Sequence, residues 1–445
     1  MKTLGIDIGT TTISIILSDT DDRHCSKALT VQNKSRIRTQ YRWEKVQDVT
    51  GIIDCAVEAA DGYLRRFPDI KAIGLTGQMH GILYLNREGK CISPLYTWQD
   101  GRGNIPRRDG RTMVEAVYEK CGLYVPSGYG LLTHLFNIEN GIAPDQAVSV
   151  CTIMDYLGMV LTGRRTPVVH VSNAAGLGFF DTRKKKFLTE LLEQLKVDPA
   201  ILPEVTEEPY ILGEHRGIPV MAALGDNQAS FLGAAGEAPN TYLVNIGTGG
   251  QISVISDRYY EIEGIETRPF VGGKYLLAGS SLCGGRAYAV LENFFRSYVE
   301  AAGYGNISQY EIMEKLAREA YGEHNGLEIV TTFNGTRSKP ELRGSIAGIS
   351  EDNFTPGGVI CGVLKGIVRE LYDMYIEIRS HTEIRMDHLA ASGNAVRKNK
   401  VLQKIIKEMF LADPVLPETL EEAAYGAAVY AGNILKNTEL EGRTV

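Results

Sequence analysis

Long apolar runs are missing from this chain. None approaches the ~20 residues that a helix needs to span a bilayer, so a membrane-spanning protein is not expected. No G-x-x-x-x-G-K-[ST] string occurs, which excludes a P-loop. The seven cysteines are scattered, with no C-x-x-C pair and no His/Cys cluster. That argues against structural zinc and for a reducing, cytoplasmic setting. No signal-peptide pattern is found before Leu4, because Met1-Lys2-Thr3 leads straight into an apolar strand. Positive charge is in deficit, 47 Lys and Arg against 54 Asp and Glu, and the net −7 speaks against nonspecific nucleic-acid binding. What remains is an ordinary globular composition, 44% hydrophobic and 23% charged. At 445 residues it exceeds one core, so two domains are expected, 1–236 and 237–445.

The stretch Leu4-Gly-Ile-Asp-Ile-Gly-Thr-Thr-Thr-Ile-Ser-Ile-Ile-Leu17 reads strand, tight polar turn, strand. Glycine and hydroxyl residues in such a turn make an anion-binding nest, with Thr10, Thr11 and Thr12 as candidate phosphate ligands. Asp7 stands just before it, and a carboxylate beside phosphate suggests a hard cation such as Mg²⁺. An ordinary hairpin would look the same. A second copy tips the balance: Tyr242-Leu-Val-Asn-Ile-Gly-Thr-Gly-Gly-Gln-Ile-Ser-Val-Ile255 has the same grammar, with Gly247, Thr248 and Gly249 in the turn. Two similar halves, each offering a phosphate hairpin to a shared cleft, would grip a nucleoside triphosphate.

Along the chain, a charged region spans Asp19 to Arg42, and Asp48 to Phe67 has helical spacing. A short strand, Lys71 to Gly77, delivers Gln78, Met79 and His80 to a strand terminus, where α/β sheets collect ligands. A lone histidine is more often a satisfied core residue, but the flanking Gly77 and Gly81 favour a ligand contact. Tyr96-Thr-Trp-Gln-Asp-Gly-Arg102 offers Trp98, Asp100 and Arg102 within five positions, a set suited to polyol hydroxyls and the C–H face of a sugar. Pro106 to Cys121 reads as helical or partly so. Asp155 precedes an apolar helix and could be a cap alone. Ser172 to Gly178 reads as a small-residue loop in which Asn173 could meet a substrate hydroxyl. A buried strand, Ile218 to Gly225, ends at Asp226, at the start of a helix, where a carboxylate can serve as cap, as general base or as both. In the second half, Gly284-Gly285 opens a long helix and could admit phosphate or ribose. Gly393 and Asn394 sit in a strand-to-helix turn suited to adenosine. The Ala423-Ala-Tyr-Gly-Ala-Ala428 helix face is small enough to press against a neighbour or cofactor.

Together these pieces resemble the FGGY carbohydrate kinases along nearly the whole chain: Gly5-Ile-Asp-Ile-Gly-Thr-Thr11, Gly77-Gln-Met-His-Gly81, Gly225-Asp-Asn-Gln228, Asn245-Ile-Gly-Thr248, Ser392-Gly-Asn394 and Glu422-Ala-Ala-Tyr-Gly-Ala-Ala428. The resemblance implies an α/β fold of two ribonuclease-H-like domains of the actin-like ATPase type, with ATP in the cleft between them and the sugar mainly on the first. It implies Asp226 as catalytic base, Mg²⁺ near Asp7 and Asp226, and a sugar oriented by Gln78, Met79, His80, Trp98, Asp100 and Arg102, with Asp155 and Asn173 as weaker candidates. Trp98-Gln-Asp-Gly-Arg102 looks like the sedoheptulokinase form of a motif that xylulokinases usually write Trp-Asn-Asp-x-Arg. Asn173-Ala-Ala175 with Phe179-Phe180, and Gly335-Thr-Arg337 with Pro340 and Arg343, point the same way. The expected activity is ATP-dependent phosphorylation of a ketose, sedoheptulose first, with xylulose or another polyol as alternative. An actin-like structural ATPase shares the paired hairpins but does not need the Gln-Met-His and Trp-Gln-Asp-Gly-Arg clusters. A sugar-sensing regulator would usually add a helix-turn-helix module. The expected partner is a small ketose or polyol, with no nucleic acid and no membrane, and homodimerisation is left open.

Overall fold

Leu4-Gly-Ile-Asp-Ile8 is apolar on both faces except at Asp7, the pattern of an interior strand. The computed structural model describes residues 1–19, 24–236, 238–322, 326–336, 339 and 341–440, so Arg337 and Pro340 lie outside the described residues. The chain forms two compact units. The first begins with β1 (Lys2–Ile8), which turns into antiparallel β2 (Thr12–Asp19), Ile8 facing Ile13. β3 (His24–Gln32) pairs with β2. α1 (Val49–Arg66) is capped by Asp48, whose carboxylate accepts from the amides of Thr50 and Gly51, and it buries Ile52, Ile53, Ala56 and Ala60. β4 (Ile70–Gly77) runs parallel to β1. α2 (Gly130–Glu139), α3 (Ile153–Thr162), β5 (Ile211–His215) and β6 (Ile218–Met221) follow, giving the sheet order β5-β6-β4-β1-β2-β3. The strand expected over 218–225 is interrupted after Met221; its last two residues, Leu224 and Gly225, pair with Thr76 and Gly77 of β4. α4 (Asp226–Ala235) starts at once.

The second unit repeats this plan. β7 (Thr241–Ile246) and β8 (Gly250–Ser256) form a hairpin, Ile246 facing Gly250. β9 (Tyr275–Ser281), α5 (Gly285–Ala301), α6 (Pro356–His381), β10 (His388–Ser392) and α7 (Lys400–Phe410) complete it. β10 is parallel to β7, as β4 is to β1. The strand order is β9-β8-β7-β10, with Ile265–Pro269 on the β9 edge. Val244, Ile252 and Leu277 of the sheet pack with Ile360, Leu364 and Ile367 of α6.

The last helix, α8 (Glu422–Leu440), belongs to the first unit, which also takes Arg268–Lys274. A single cut after residue 236 therefore does not describe the chain. The small helix face expected at 423–428 seats directly on the sheet. A Cβ on Gly5 would lie 1.8 Å from the Ala424 carbonyl oxygen, and one on Gly74 would lie 1.9 Å from that of Ala427. Gly426 makes the same approach to Ala229 of α4, at 1.8 Å. Glycine is required at these positions by contact distance. Elsewhere the helix expected from Pro106 begins only at Met113, where Thr112 and Glu115 form a capping box. Ser172 to Gly178 is a short helix, Val171–Ala174, followed by a 3-10 turn rather than a loop.

Candidate active site

Gly77 and Gly225 end adjacent parallel strands, so the residues that follow them emerge side by side. Asp226 is the first residue of α4, and Gly225, which has no side chain, occupies the cap position. The carboxylate is left to accept from Asn227 Nδ2 at 2.8 Å. Burial pushes Asp226 up to about 6, against the lowering effect of its hydrogen bonds to Asn227 and of the charge of Arg268. Asp7 is pushed up to about 7, first by burial and then by the negative charges of Asp226 and Glu421. Met79 packs against this corner: Asn227 Nδ2 is 3.9 Å from its sulfur.

His80 takes a left-handed backbone, φ 73°, which is rare for a non-glycine residue and turns the chain sharply after Met79. Its ring stacks on Tyr129 at 4.3 Å, and Nδ1 lies 2.8 Å from the Gly176 carbonyl oxygen. A carbonyl only accepts, so the proton sits on Nδ1 and Nε2 is the acceptor of the neutral ring. The structure thus brings together Met79, His80 and Asp226, the expected sugar and catalytic residues, and adds Tyr129 and Asn227.

Gln78 and Trp98 meet the first hairpin turn instead. Trp98 Nε1 donates to Thr10 Oγ1 at 3.0 Å, and Thr10 Oγ1 donates to Gln78 Oε1 at 3.2 Å. Gln78 Nε2 donates to Gln47 Oε1 at 2.7 Å, and Gln47 Nε2 returns to the Thr10 carbonyl at 2.8 Å. This closed ring occupies the Thr10 hydroxyl that was expected to hold phosphate. The carbonyls of Gly9 and Thr11 are tied to Asn33. Within one peptide unit the N–H and C=O point in opposite directions, so the Thr10 amide faces away from Asn33, and the Thr11 amide faces away from Gln47, which holds the Thr10 carbonyl. The turn therefore offers amides rather than the Thr10 hydroxyl. Thr11 is exposed in the turn, and Thr12 opens β2.

Four expected sugar ligands, Asp100, Arg102, Asp155 and Asn173, are buried and bonded within the first unit. Arg102 is 1% exposed; its Nε and Nη2 donate to Asp100 at 2.7 and 3.1 Å, and Nη1 donates to Asn137. The guanidinium also lies 4.3 Å from the Tyr96 ring centroid. Asp100 also accepts from the Lys45 amide. The pair is spent on shaping the loop that carries Trp98. Asp155 is buried in a capping box with Thr152, and Asn173 Nδ2 donates to Asp155 at 2.8 Å and to Thr152 at 2.9 Å. Burial pushes Asp155 up to about 7. These two fasten Val171–Ala174 to α3.

In the second unit the expected Gly247, Thr248 and Asn394 line one cavity of about 660 Å³, with Tyr288, Arg286 and Lys398. Gly285 lines this cavity as well, and with Gly284 it also braces the hairpin turn. The amides of Gly285 and Arg286, at the start of α5, donate to the carbonyls of Gly247 and Thr248 at 2.8 and 2.9 Å. A Cβ on Gly284 would sit 2.2 Å from the Gly249 carbonyl oxygen. The helix start braces the hairpin turn. Gly393, at φ 93°, passes the Ile246 backbone, where a Cβ would be 2.4 Å from its carbonyl oxygen.

Residues 2–233 match the N-terminal domain of the FGGY family of carbohydrate kinases, and residues 243–433 match its C-terminal domain. The chain belongs to the FGGY carbohydrate kinases. It is 27% identical to a sedoheptulokinase from Mus musculus over 96% of each chain. It is 23% identical to a xylulose kinase from Haemophilus influenzae, over 96% of this chain and 90% of that one. The Plasmodium falciparum glycerol kinase crystal structure with ADP superposes with a TM-score of 0.80, at 19% identity, over 99% and 92% of the two chains. This FGGY kinase therefore has the two-domain, actin-like ATPase fold. No described helix is long and apolar enough to cross a membrane.

Sequence reading missed Glu421 and Arg268. Glu421 accepts from Ser14 Oγ at 2.7 Å and Thr30 Oγ1 at 2.9 Å, and its charge reaches Asp7. Nothing local in the sequence pairs position 421 with position 7; only the return of α8 does. Tyr129 and Gln47 were missed too, although aromatic and amide side chains one residue outside a helix and in a two-residue strand carry little signal.

Proposed function

We propose that this kinase transfers the γ-phosphoryl group of ATP to the terminal primary hydroxyl of a ketose, sedoheptulose being the first choice. The observation that carries the reading is Asp226: a buried carboxylate at the junction of a strand end and a helix start, pushed up to about 6 and set beside Met79 and Asn227. A base held there accepts the hydroxyl proton as the oxygen attacks phosphorus. Asn227 fixes the carboxylate, and His80 Nε2 accepts from a sugar hydroxyl, its tautomer set by Gly176. The indole of Trp98, 47% exposed and fastened to Thr10, offers its face to the sugar's C–H groups.

The Thr10 and Thr11 amides and the 247–249 turn are assigned to phosphate, and the 660 Å³ cavity with Asn394 to adenosine. Asp7 and Asp226 fit a hard divalent cation, because both carboxylates are buried and the charge of Asp226 raises Asp7, a cost that a cation would offset. Among the described residues no group of three or more His, Cys, Asp or Glu forms a metal site, which suits Mg²⁺ taking its other oxygens from phosphate and water. Bound there, Mg²⁺ would neutralise charge on the phosphates. A cytoplasmic location accompanies this reading. The likeness to mouse sedoheptulokinase over both full lengths supports sedoheptulose over xylulose.

The test is a coupled ADP-release assay with Mg-ATP and sedoheptulose, D-xylulose, D-ribulose, L-ribulose, glycerol and gluconate side by side. A kcat/KM at least tenfold higher for sedoheptulose, about 1.4 kcal/mol of discrimination, is expected. A preference for D-xylulose would overturn the sugar and leave the chemistry; no turnover of any of them would overturn both.

A further inference from the structure

The segment between β3 and α1 concentrates positive charge in an acidic protein. Arg36, which bridges to Gln47, and Arg38, two residues on, line the same concavity. A turn at 40–43, closed by the Glu44 amide on the Tyr41 carbonyl at 3.3 Å, brings Arg42 back toward them. Arg36, Arg38, Arg42 and Lys45 line one cavity of about 390 Å³, edged by Ile37 and Tyr41, and no carboxylate lines it. None of the four forms an ion pair with a carboxylate among the described residues. The loop's own acid, Glu44, is directed to Arg102 at 3.7 Å.

The loop holds a defined shape. The Ile37 amide donates to Val46, Thr39 Oγ1 donates to the carbonyls of Tyr41 and Glu44, and Tyr41 stacks on Trp43 at 5.1 Å. It is fastened to the Trp98 loop by Gly101 N–H to the Trp43 carbonyl at 2.8 Å and by Lys45 N–H to Asp100 at 2.9 Å. Four like charges held in one concavity repel one another unless an anion joins them. Guanidinium forks suit planar or tetrahedral oxyanions, and several of them suit more than one negative charge.

We infer that this concavity is a binding site for a small phosphorylated metabolite carrying at least two negative charges, separate from the nucleotide and sugar residues. Its chemistry fits a sugar phosphate or a free diphosphate alike. The proposal does not depend on which sugar is phosphorylated.

Of the chain's two tryptophans, Trp43 lies in the loop, stacked on Tyr41, and Trp98 lies with the sugar residues, so intrinsic fluorescence reports the loop and the arginine variants separate its signal from that of the sugar site. Full-length protein is titrated with pyrophosphate, ribose 5-phosphate, ribose and citrate, without Mg²⁺ and with saturating ADP to fill the nucleotide site. A saturable change with pyrophosphate or ribose 5-phosphate, absent with ribose, is expected, and R36Q/R38Q/R42Q should weaken it at least tenfold. Pyrophosphate alone would assign a diphosphate, and ribose 5-phosphate a sugar phosphate; either supports the site. No saturable change, a signal abolished by ADP, tighter binding of citrate, or an unchanged affinity in the triple variant would each overturn it. R38Q alone, a single exposed change, gives a second reading should the triple variant fail to fold.

Discussion

Replacing Asp226 by Asn should cost activity and add stability at once. The carboxylate rises from 3.8 to about 6 on folding, which makes the folded state the tighter proton binder. At about 1.36 kcal/mol per tenfold, ionised Asp226 destabilises the fold by up to roughly 3 kcal/mol above pH 6. An amide carries no such charge, and it also relieves Asp7, which Asp226 helps to raise. Relaxation and partial hydration reduce the gain, so ~1–3 kcal/mol is expected at pH 8. In a unit of this size that is about 3–8 °C in Tm. The gain must shrink as pH falls below 6 and vanish only near 3, under the unfolded value of 3.8, where the wild-type carboxylate is protonated in both states. As a lost general base, the same variant should drop in kcat by roughly 10²–10⁴. Differential scanning calorimetry at pH 8, 6 and 4.5, beside ADP-release kinetics, measures both. A Tm unchanged at pH 8, or a gain equally large at pH 4.5, would refute the desolvation reasoning; a rate loss under tenfold would refute the base.

Wild-type kcat/KM should fall as pH drops through about 6 in the free enzyme, because Asp226 must be ionised to accept a proton; a profile flat from pH 5 to 8 would contradict this. Arg102→Met leaves Asp100 buried without its partner and should cost ~3–5 kcal/mol in denaturant unfolding. The sugar KM of the surviving enzyme should shift by less than about threefold, as its stabilising role requires; a large KM effect would return Arg102 to the sugar. Gly74→Ala drives a methyl into the Ala427 carbonyl and should destabilise by ~3 kcal/mol or more, read as a lower Tm or insoluble protein. Thr10→Val breaks the ring that holds Trp98 and should raise the sugar KM roughly fivefold, measured by initial rates.

The parts of this molecule that could be read from sequence are those whose function follows from local order. The paired hairpins, the strand leading to Met79 and His80, and the Gly225-Asp226 junction each join a periodic strand to a glycine turn, and each stands where the spacing put it. Arg102 was harder to read. Polar residues clustered in sequence look like a ligand set, but whether their atoms already have partners inside the protein depends on residues such as Asn137, distant in sequence. Glu421 was invisible for the opposite reason, since its partners Ser14 and Thr30 lie some 400 residues away. Gly284 and Gly285 were read as room for a ligand; Gly285 does line the cavity, and what the sequence did not show is that both also pack against the backbone of Gly247 and Gly249.

The seat of the last helix also sets a timetable for synthesis. Gly5 and Gly74 emerge early, yet the residues that cover them follow Glu421. At about 5–20 residues per second, the ribosome takes roughly 10–40 s to travel from the end of α4 to that point. During that interval the glycine-lined face of the nascent first unit has no lid. A chain released before residue 421 would present that bare face to chaperones and proteases while still carrying a complete second unit, so quality control can tell truncated from finished kinase by this one surface.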